Sequence, residues 1–224
     1  QDSEHTIIDI NTCLNLQPDL IIFSAGSELS LSYAPKFAKI GATVIDNSSA
    51  WRMDNSKKLI IPEINGHVLN PNDRIIANPN CSTIQMLMAI NPIHKKYKID
   101  KIIVSTYQSV TGTGKKALTQ LENEYDNVKG EKAYKYQIHQ NAIPHCDDFL
   151  PNGYTKEEMK LLNETNKILE SNIKVSATAV RVPVIGGHSE SINLTLEKSF
   201  EISEIKTLLQ NSPGIILKDD PNKF

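Results

Sequence analysis

Cys81 is the side chain of this sequence whose neighbours best suit nucleophilic chemistry. The run Asn78 to Thr83 (Asn-Pro-Asn-Cys-Ser-Thr) follows a short apolar segment and opens a stretch with helical periodicity. At such a strand-to-helix junction, unpaired backbone N–H groups and the helix dipole stabilise a thiolate and lower the pKa of the thiol. The same N–H groups can hold an oxyanion or a phosphate. The alternative is that Cys81 is a small buried side chain, as most isolated cysteines are.

The other two cysteines, Cys13 and Cys146, do not lie at a junction of this kind. No two of the three are spaced like the ligands of a zinc site or like a redox pair, so we expect no metal site. An odd and sparse set of cysteines favours a reducing, cytoplasmic compartment.

A nucleophilic cysteine needs a proton acceptor, which is usually a histidine. His188 is the best candidate, because it lies between two predicted strands and follows Gly186 and Gly187, which free the backbone to bring the ring close to a site. His139 and His145 are rivals in a loop-rich segment. Each of the three could also be an ordinary loop histidine.

Two further groups of residues have an equally simple structural interpretation. The run Thr111 to Lys116 resembles a phosphate loop but fails that pattern, since Ser109 and Lys116 replace its first glycine and its Ser or Thr. Its glycines could bring backbone close to a ligand or could form an ordinary turn. Glu157 and Lys160 could be part of a solvated helix face, and their spacing alone favours that interpretation.

The first third of the chain predicts a parallel α/β unit. Apolar strands at Leu20–Phe23 and Thr43–Ile45 flank a helix at Leu31–Lys39, with Gly41 as its C′ residue. Short strands follow at Leu59–Ile61 and Ile75–Ala77.

The rest of the chain predicts an α+β domain with a mixed or antiparallel sheet. A helix at Lys156–Glu170 should begin with a capping box of Thr155 and Glu158 and should turn Met159, Leu162 and Leu169 to the core. Pro92 should kink or end the helix that begins at Thr83. The remaining predicted elements are strands at Lys101–Tyr107, Lys174–Arg181 and Ser191–Leu196, and helices at Lys115–Tyr125 and Ser203–Gln210.

The fold class is therefore α/β: a parallel α/β unit, followed by an α+β domain with a mixed sheet. A net charge of −2 argues against nucleic acid or an anionic membrane as the main partner. No apolar run approaches the roughly 20 residues of a membrane span. The polar, acidic start from Gln1 to Asn11 does not resemble a signal peptide.

Read in order, the motifs of the chain resemble those of the aspartate-semialdehyde dehydrogenase family along almost its whole length. The run Asn80 to Ile84 and the run Arg181 to Glu190 are the specific parts of this resemblance. The motifs are Phe23–Ser27, Asp46–Met53, Ile61–Asn65, Asn78–Thr83, Tyr107–Gly114, Ala142–His145, Glu157–Lys160 and Arg181–Glu190.

The resemblance implies a role for each candidate residue. Cys81 looks like the family's nucleophile, His188 like its acid–base residue, and Gln108 like the amide that orients the substrate beside the cysteine. Arg181 is similar to the arginine that clamps the substrate α-carboxylate, a contact that suits a guanidinium group. Glu157 would meet the substrate amino group.

The resemblance also implies phosphate-binding residues, a cofactor and a reaction. NADP-dependent reductive dephosphorylation of L-4-aspartyl phosphate would proceed through a Cys81 thioester, in the biosynthesis of lysine, threonine and methionine. The resemblance divides the chain into a partial NADP-binding domain with a partial Rossmann-type sheet at residues 1–80 and a catalytic and dimerisation domain at residues 81–224. The family is dimeric, and segment 130–150 is the candidate interface. Phosphate would bind Arg52, Asn80 and Lys160, and NADP would contact Thr111, Gly112, Ser24, Gly26 and Ser27.

The chain departs from the family in one respect: the sequence contains no G-x-G-x-x-G run for the cofactor pyrophosphate. We therefore expect a chain truncated at both ends, with the glycine-rich turn located before Gln1. The acidic residue that distinguishes NAD from NADP would lie there as well.

Four alternatives to this assignment can be distinguished. N-acetyl-glutamyl-phosphate reductase shares the chemistry but typically has glycine before its cysteine, where this chain has Asn80, and glyceraldehyde-3-phosphate dehydrogenase fits less well. A cysteine hydrolase using Cys81 and His188 would leave Arg52 and Lys160 without a role. A non-catalytic subunit or interaction fragment would tolerate loss of the Cys81 thiol.

Overall fold

A computed structural model of the protein describes residues 6–223, so the expectations for Gln1 and its four successors lie outside the described residues. The chain divides into two compact units. The first comprises the residues up to Asn80 together with Lys167–Leu169, and the second comprises Cys81–Asn166 together with the residues from Glu170 onward.

The first unit is built on a four-stranded sheet in which every pair of neighbouring strands is parallel, as predicted. In spatial order the strands are β1 (Leu20–Phe23), β2 (Thr43–Asp46), β4 (Ile75–Ala77) and β3 (Lys58–Leu59). Strands of parallel sheets are typically apolar. The buried strand residues include Phe23, Val44, Ile75 and Ala77, whereas Leu20 and Ile22 of β1 are exposed.

Three helices accompany this sheet: α1 (Ile10–Asn15), α2 (Ser27–Lys39) and α3 (Pro62–Asn65). Helix α2 begins four residues earlier than predicted, directly after Gly26, whose φ of 87° suits glycine. The predicted strand at Leu59–Ile61 is shorter, because Pro62 begins α3. The core on this side contains Phe23, Ala34, Phe37, Ala42, Val44 and Ile75.

The second unit contains a three-stranded mixed sheet, again as predicted. Its central strand is β5 (Ile99–Gln108), which pairs parallel with β6 (Lys174–Arg181) and antiparallel with β7 (His188–Leu196). Its helices are α4 (Cys81–Tyr97), α5 (Lys115–Tyr125), α6 (Lys156–Ile168) and α7 (Ile202–Gln210).

Helix α4 continues past Pro92, so the expectation that the helix ends there was wrong. Pro92 lies inside the helix, which begins at Cys81 and continues to Tyr97. Ile90 and Ile93, on either side of the proline, are both buried. Burial of these side chains accounts for the continuation, since packing can compensate for the hydrogen bond that a proline removes.

Helix α6 has the predicted capping box but not the predicted faces. The Thr155 N–H donates to Glu158 Oε2 at 2.7 Å, and the Glu158 N–H donates to Thr155 Oγ1 at 3.3 Å. Met159, Leu162 and Leu169 are only half-buried. The fully buried side chains of the helix include Leu161, Ile168, Glu157 and Glu164. The interpretation of Glu157 as part of a solvated face was therefore wrong, and Lys160 is half-buried.

Within residues 6–223, no helix combines the length and the apolar character that crossing a membrane requires. The same residues contain no cluster of His, Cys, Asp or Glu that could hold a metal ion.

Candidate active site

Three of the predicted site residues form one row across the mixed sheet. Gln108, the last residue of β5, lies opposite Arg181 on β6 and opposite His188 on β7. Residues directly opposite each other in a sheet point to the same face, about 5 Å apart. The strand register therefore brings together side chains that are up to 80 residues apart in sequence.

Cys81 joins this row from the first turn of α4. Its Sγ lies 3.3 Å from His188 Nε2, within hydrogen-bond distance for sulfur. The carbonyl of His188 in turn accepts a hydrogen bond from Gln85 Nε2, one turn further along α4, at 3.4 Å. Helix α4 thus positions Cys81 against His188, the first residue of β7.

The second nitrogen of His188 meets the backbone of Ser109. The Ser109 N–H donates to Nδ1 at 3.1 Å, and Ser109 Oγ lies 3.4 Å from the same nitrogen. Ser109 is fully buried, and its Oγ is also 2.7 Å from Thr111 Oγ1. Because both ring nitrogens have a polar neighbour, this ring orientation is strongly preferred over a flipped one.

Gln108 is held by a buried polar network. Its Nε2 donates toward Ser82 Oγ at 3.0 Å, Thr106 Oγ1 at 3.1 Å and Glu157 Oε1 at 3.1 Å. Because the side chain is only 1% exposed, these contacts, and not hydrogen bonds to solvent, fix the orientation of the amide. The sequence did not indicate Ser82 or Thr106 as its partners.

Lys160, the predicted phosphate ligand of α6, is bound by two carboxylates. Its Nζ lies 3.0 Å from Glu157 Oε2 and 2.9 Å from Asp147 Oδ2. Burial lowers the pKa of Lys160, but the charge of Glu157 and the hydrogen bond to Asp147 outweigh burial and raise it. Burial raises the pKa of Asp147, and the hydrogen bond from Lys160 overcomes that effect and lowers it. Sequence reasoning missed Asp147, a non-glycine residue with a φ of 69°.

Arg181 is buried, and its Nη1 donates to the Ser109 carbonyl at 2.7 Å. Its Nε is buried and has no hydrogen-bond partner among residues 6–223. The Tyr134 ring lies beside the guanidinium group, with 6.0 Å between its centroid and Cζ. A cavity of about 280 Å³ opens here, lined in part by Thr113, Tyr134, His145, Cys146 and Arg181.

Gly112 lies directly beside the Arg181 and His188 side chains. A Cβ atom at this position would lie 2.9 Å from Arg181 Nη1 and 3.0 Å from His188 Cε1. Only glycine allows the backbone to approach both side chains so closely.

The predicted low pKa of the Cys81 thiol was wrong. Burial of the sulfur and the charge of Glu157 raise its pKa, and they outweigh the Ser82 N–H at the helix terminus and the charge of Arg181. Burial and the charge of Arg181 lower the pKa of His188. Both shifts favour a thiol beside a neutral imidazole over an ion pair.

The other candidate proton acceptors, His139 and His145, and the third cysteine, Cys146, also belong to the second unit. His139 packs edge-on against Tyr125, and His145 packs against Phe149 beside the cavity. Cys146 is buried, and burial raises the pKa of its thiol to about 11.

The first unit holds the remaining predicted residues. Arg52 is buried, with Nη2 donating to the Asn47 carbonyl at 3.0 Å, and Asn80 is buried as well. Ser24, Gly26 and Ser27 form the turn between β1 and α2, where Ser27 Oγ lies 3.2 Å from Ser49 Oγ.

Two family models match the chain and define its class. The NAD binding domain of semialdehyde dehydrogenases matches residues 4–71, and the semialdehyde dehydrogenase dimerisation domain matches residues 90–224.

Individual relatives narrow this class. Aspartate-semialdehyde dehydrogenase of Aquifex aeolicus is 50% identical over 91% of this chain and 62% of its own length. The Bacillus subtilis enzyme is 46% identical over 92% of this chain and 63% of its own. A crystal structure of aspartate semialdehyde dehydrogenase II from Vibrio cholerae, complexed with ASA, matches 87% of this chain and 60% of that chain, with a TM-score of 0.83 and 41% identity. The chain belongs to the aspartate-semialdehyde dehydrogenase family and spans less than two thirds of the length of these relatives.

Proposed function

We propose that this chain carries the catalytic centre for NADP-dependent reductive dephosphorylation of L-4-aspartyl phosphate to L-aspartate 4-semialdehyde. The observation that carries the proposal is the 3.3 Å approach of Cys81 Sγ to His188 Nε2, beside the row of Gln108 and Arg181. We place the reaction in the cytoplasm, in the biosynthesis of lysine, threonine and methionine.

In the first half-reaction the Cys81 thiolate attacks the acyl carbon of aspartyl phosphate. A C–S bond forms, and the bond between the acyl carbon and the bridging oxygen breaks. Inorganic phosphate leaves with that oxygen and with the bonding electron pair. A thiolate suits this step and the later one, because it is both a strong nucleophile and a good leaving group. The product is an aspartyl thioester on Cys81.

Arg181 and Glu157 would bind the two ends of the α-amino acid group. The buried Arg181 Nε has no hydrogen-bond partner in the described part of the chain. This supports a role in binding a carboxylate, since a buried unsatisfied donor is costly. Glu157 would accept from the substrate ammonium group, and Gln108, already bonded to Glu157, would orient the acyl carbon toward Cys81.

The residues predicted to contact NADP fit a nucleotide. Gly26 leads from β1 into the 13-residue helix α2, and no side chain caps the first turn of that helix, so its N–H groups can meet an anion. Gly112 brings backbone next to His188, and its neighbour Thr111 contacts Ser109 Oγ through its own Oγ1 at 2.7 Å. When bound, the cofactor supplies the hydride that reduces the thioester.

Lys160, Arg52 and Asn80 remain our proposed phosphate ligands. Lys160 lies on α6, where its Nζ contacts the carboxylates of Asp147 and Glu157 and could exchange them for phosphate oxygens. A guanidinium group such as that of Arg52 suits the bidentate geometry of phosphate.

Acylation by freshly prepared aspartyl 4-phosphate tests the proposal without a cofactor. Peptide mass spectrometry should find a thioester on Cys81, and none after Cys81→Ala. Cys13→Ala, in the first unit, is the matched control and should acylate normally. Preferential labelling of Cys13 or Cys146 in a folded chain would contradict the proposal.

Added inorganic phosphate then separates this function from that of a cysteine hydrolase. Phosphate should discharge the thioester by re-forming aspartyl phosphate, whereas a hydrolase would discharge it in water alone. A thioester that disappears at the same rate with and without phosphate would favour the hydrolase.

A further inference from the structure

Tyr134, in the segment between α5 and α6, faces the guanidinium group of Arg181. The centroid of its ring lies 6.0 Å from Arg181 Cζ, and both residues line the cavity of about 280 Å³. A guanidinium group at this distance over an aromatic face is attracted by the electrons of the ring. The half-buried ring of Tyr134 therefore forms a wall beside the predicted carboxylate-binding arginine.

Both ends of Tyr134 are held in place. Its hydroxyl donates to Thr113 Oγ1 at 2.8 Å, and its N–H donates to Gln120 Oε1, also at 2.8 Å. Gln120 is 1% exposed, and the same Oε1 accepts from the Ala133 N–H at 2.7 Å. Burial raises the pKa of Tyr134 and outweighs the hydrogen bond to Thr113 and the charge of Arg181, so the hydroxyl keeps its proton. The ring cannot turn away from Arg181 without breaking its hydrogen bond to Thr113.

The segment that carries Tyr134 also holds the backbone of Arg181. Further along it, the Ile143 N–H donates to the Arg181 carbonyl at 2.9 Å, and the Arg181 N–H donates to the Ile143 carbonyl at 2.8 Å. Ile138 and Ile143 are buried in one apolar cluster, against which Tyr134 itself packs. The backbone and the side chain of Arg181 thus both meet the same anchored segment.

The side chain of Arg181 needs a wall of this kind. Its Nη1 donates to the Ser109 carbonyl at 2.7 Å, whereas its Nε has no hydrogen-bond partner in the described ranges of the chain. The bond through Nη1 fixes one corner of the guanidinium group but not the tilt of its plane. A two-pronged contact with a carboxylate requires a defined plane, and a ring packed beside Cζ limits the tilt.

We infer that Tyr134 determines substrate specificity by holding Arg181 in the orientation that binds the substrate α-carboxylate, an inference that rests on the proposed function. The ring also keeps water from one side of the guanidinium group, which strengthens its attraction for a carboxylate. Acyl phosphates that carry an α-carboxylate therefore benefit from Tyr134, whereas those without one do not.

Acylation of Cys81 by two acyl phosphates tests this inference on the whole chain. β-alanyl phosphate carries a hydrogen atom where aspartyl 4-phosphate carries its α-carboxylate. The preference is the ratio of the two acylation rates at the same low concentration, read by peptide mass spectrometry. Tyr134→Leu should lower the preference about fivefold, the size of one partly exposed cation–π contact. The whole loss should come from the aspartyl phosphate rate. An equal fall of both rates in a chain that circular dichroism shows to be folded would overturn the inference.

Two further variants make the comparison specific. Tyr134→Phe keeps the ring but loses the hydrogen bond to Thr113, so the preference should fall about twofold, near the lower limit for one hydrogen bond. A preference in Tyr134→Phe equal to that of the unaltered chain would contradict the inference, and this variant keeps the test decisive if Tyr134→Leu does not fold. Tyr125→Leu, at a position of α5 that is 70% exposed, is the matched control and should leave both rates unchanged.

Modification of Arg181 by phenylglyoxal tests the wall without an acyl phosphate. Arg181 is 7% exposed, so loss of the neighbouring ring in Tyr134→Leu should open its guanidinium group to the reagent and speed its modification. Arg74, an exposed residue of the first unit, should react at the same rate in both chains. An unchanged rate at Arg181 would refute the role of Tyr134. A lack of Cys81 acylation in the unaltered chain would instead refute the proposed function.

Discussion

At the scale of the single residue, the charge on Cys81 is controlled by opposing neighbours. The helix terminus favours a thiolate through the Ser82 N–H, but burial and Glu157 oppose it more strongly. The nucleophilicity of Cys81 then depends on whether the charge of Glu157 is paired with a positive charge. A substrate ammonium group that pairs with Glu157 would remove the opposition and favour the thiolate only when substrate is present.

Glu157→Gln should therefore speed the alkylation of Cys81 at pH 7. Removing the negative charge lowers the pKa of the thiol, so the curve of alkylation rate against pH moves to lower pH. We expect a rate gain of roughly fivefold, the factor given by about 1 kcal/mol of screened charge interaction. Iodoacetamide labelling read by peptide mass spectrometry measures it. Glu122→Gln, an exposed control, should not change the rate, and an unchanged rate in Glu157→Gln would refute this account.

Asp147→Asn should strengthen phosphate binding. The Asp147 carboxylate lies 2.9 Å from Lys160 Nζ, so phosphate has to displace it in order to bind the ammonium group. The neutral amide of asparagine competes with phosphate more weakly than the carboxylate does. We expect about a fivefold lower Kd for inorganic phosphate, near the 1 kcal/mol scale of a partly exposed ion pair. Isothermal titration calorimetry provides the value. Asp148→Asn, which removes the neighbouring exposed pair with Lys156, is the control and should bind phosphate like the unaltered chain. Weaker binding by Asp147→Asn would show that Asp147 supports the phosphate site.

Gly112→Ala should slow acylation of Cys81 without unfolding the chain. The new methyl group would press on Arg181 Nη1 and His188 Cε1, at 2.9 and 3.0 Å, and both side chains would have to shift. A reduction on the order of tenfold is expected, since small displacements of reacting groups are costly. Gly66→Ala is the control, because its nearest contact would be an ordinary 3.9 Å. Equal acylation rates in the two variants would contradict this reason for a glycine.

At the scale of the element, Glu158 connects helix α6 to the sheet. One carboxylate oxygen caps the Thr155 N–H at 2.7 Å, and the other accepts from the Ala179 N–H of β6 at 3.0 Å. The capping box thereby fixes the first turn of α6, which carries Glu157 and Lys160.

Glu158→Ala should lower the free energy of unfolding by about 2–3 kcal/mol, because it leaves buried N–H groups without a partner. Urea denaturation followed by circular dichroism measures the loss. Asn163→Ala, at an exposed position of the same helix, should change stability by less than about 0.5 kcal/mol. A loss in Glu158→Ala no larger than in this control would mean that water replaces the carboxylate.

Elements with a strong local signal were predictable from the sequence. Helix α5 has its predicted bounds, Lys115 to Tyr125, and the capping box of α6 is present. Pro92 misled the prediction of α4, because the burial that sustains the helix depends on distant residues. Ser109 was not predicted as a site residue for a related reason: its backbone groups act there, and no residue pattern reports which backbone atoms a fold will bring to a side chain.

At the scale of the whole molecule, one face of the mixed sheet is left exposed by this chain. Alternate residues of its strands point outward, and the exposed apolar ones on the central strand are Ile103 and Tyr107, at 43% and 45%. Segment 130–150, the interface predicted from the sequence, also exposes Tyr136 and Phe149. We expect a homodimer, and these two surfaces are the alternatives for its interface.

Charge substitutions can decide between the two surfaces. In a twofold dimer each substitution appears twice across the interface, so an arginine at its centre adds both desolvation and like-charge repulsion. Ile103→Arg should convert the dimer to a monomer if the sheet face is the interface, and Tyr136→Arg should do so if segment 130–150 is. Ile216→Arg, at a position that is 84% exposed, is the control and should leave the dimer intact.

Sedimentation velocity across a concentration series gives the mass of the assembly and its dissociation constant. We expect Ile103→Arg to raise the dissociation constant at least about tenfold, because the sheet face combines apolar side chains with short polar ones that pack closely. Dissociation by Tyr136→Arg alone would assign the interface to segment 130–150, and a monomeric unaltered chain would remove the homodimer from the proposed function.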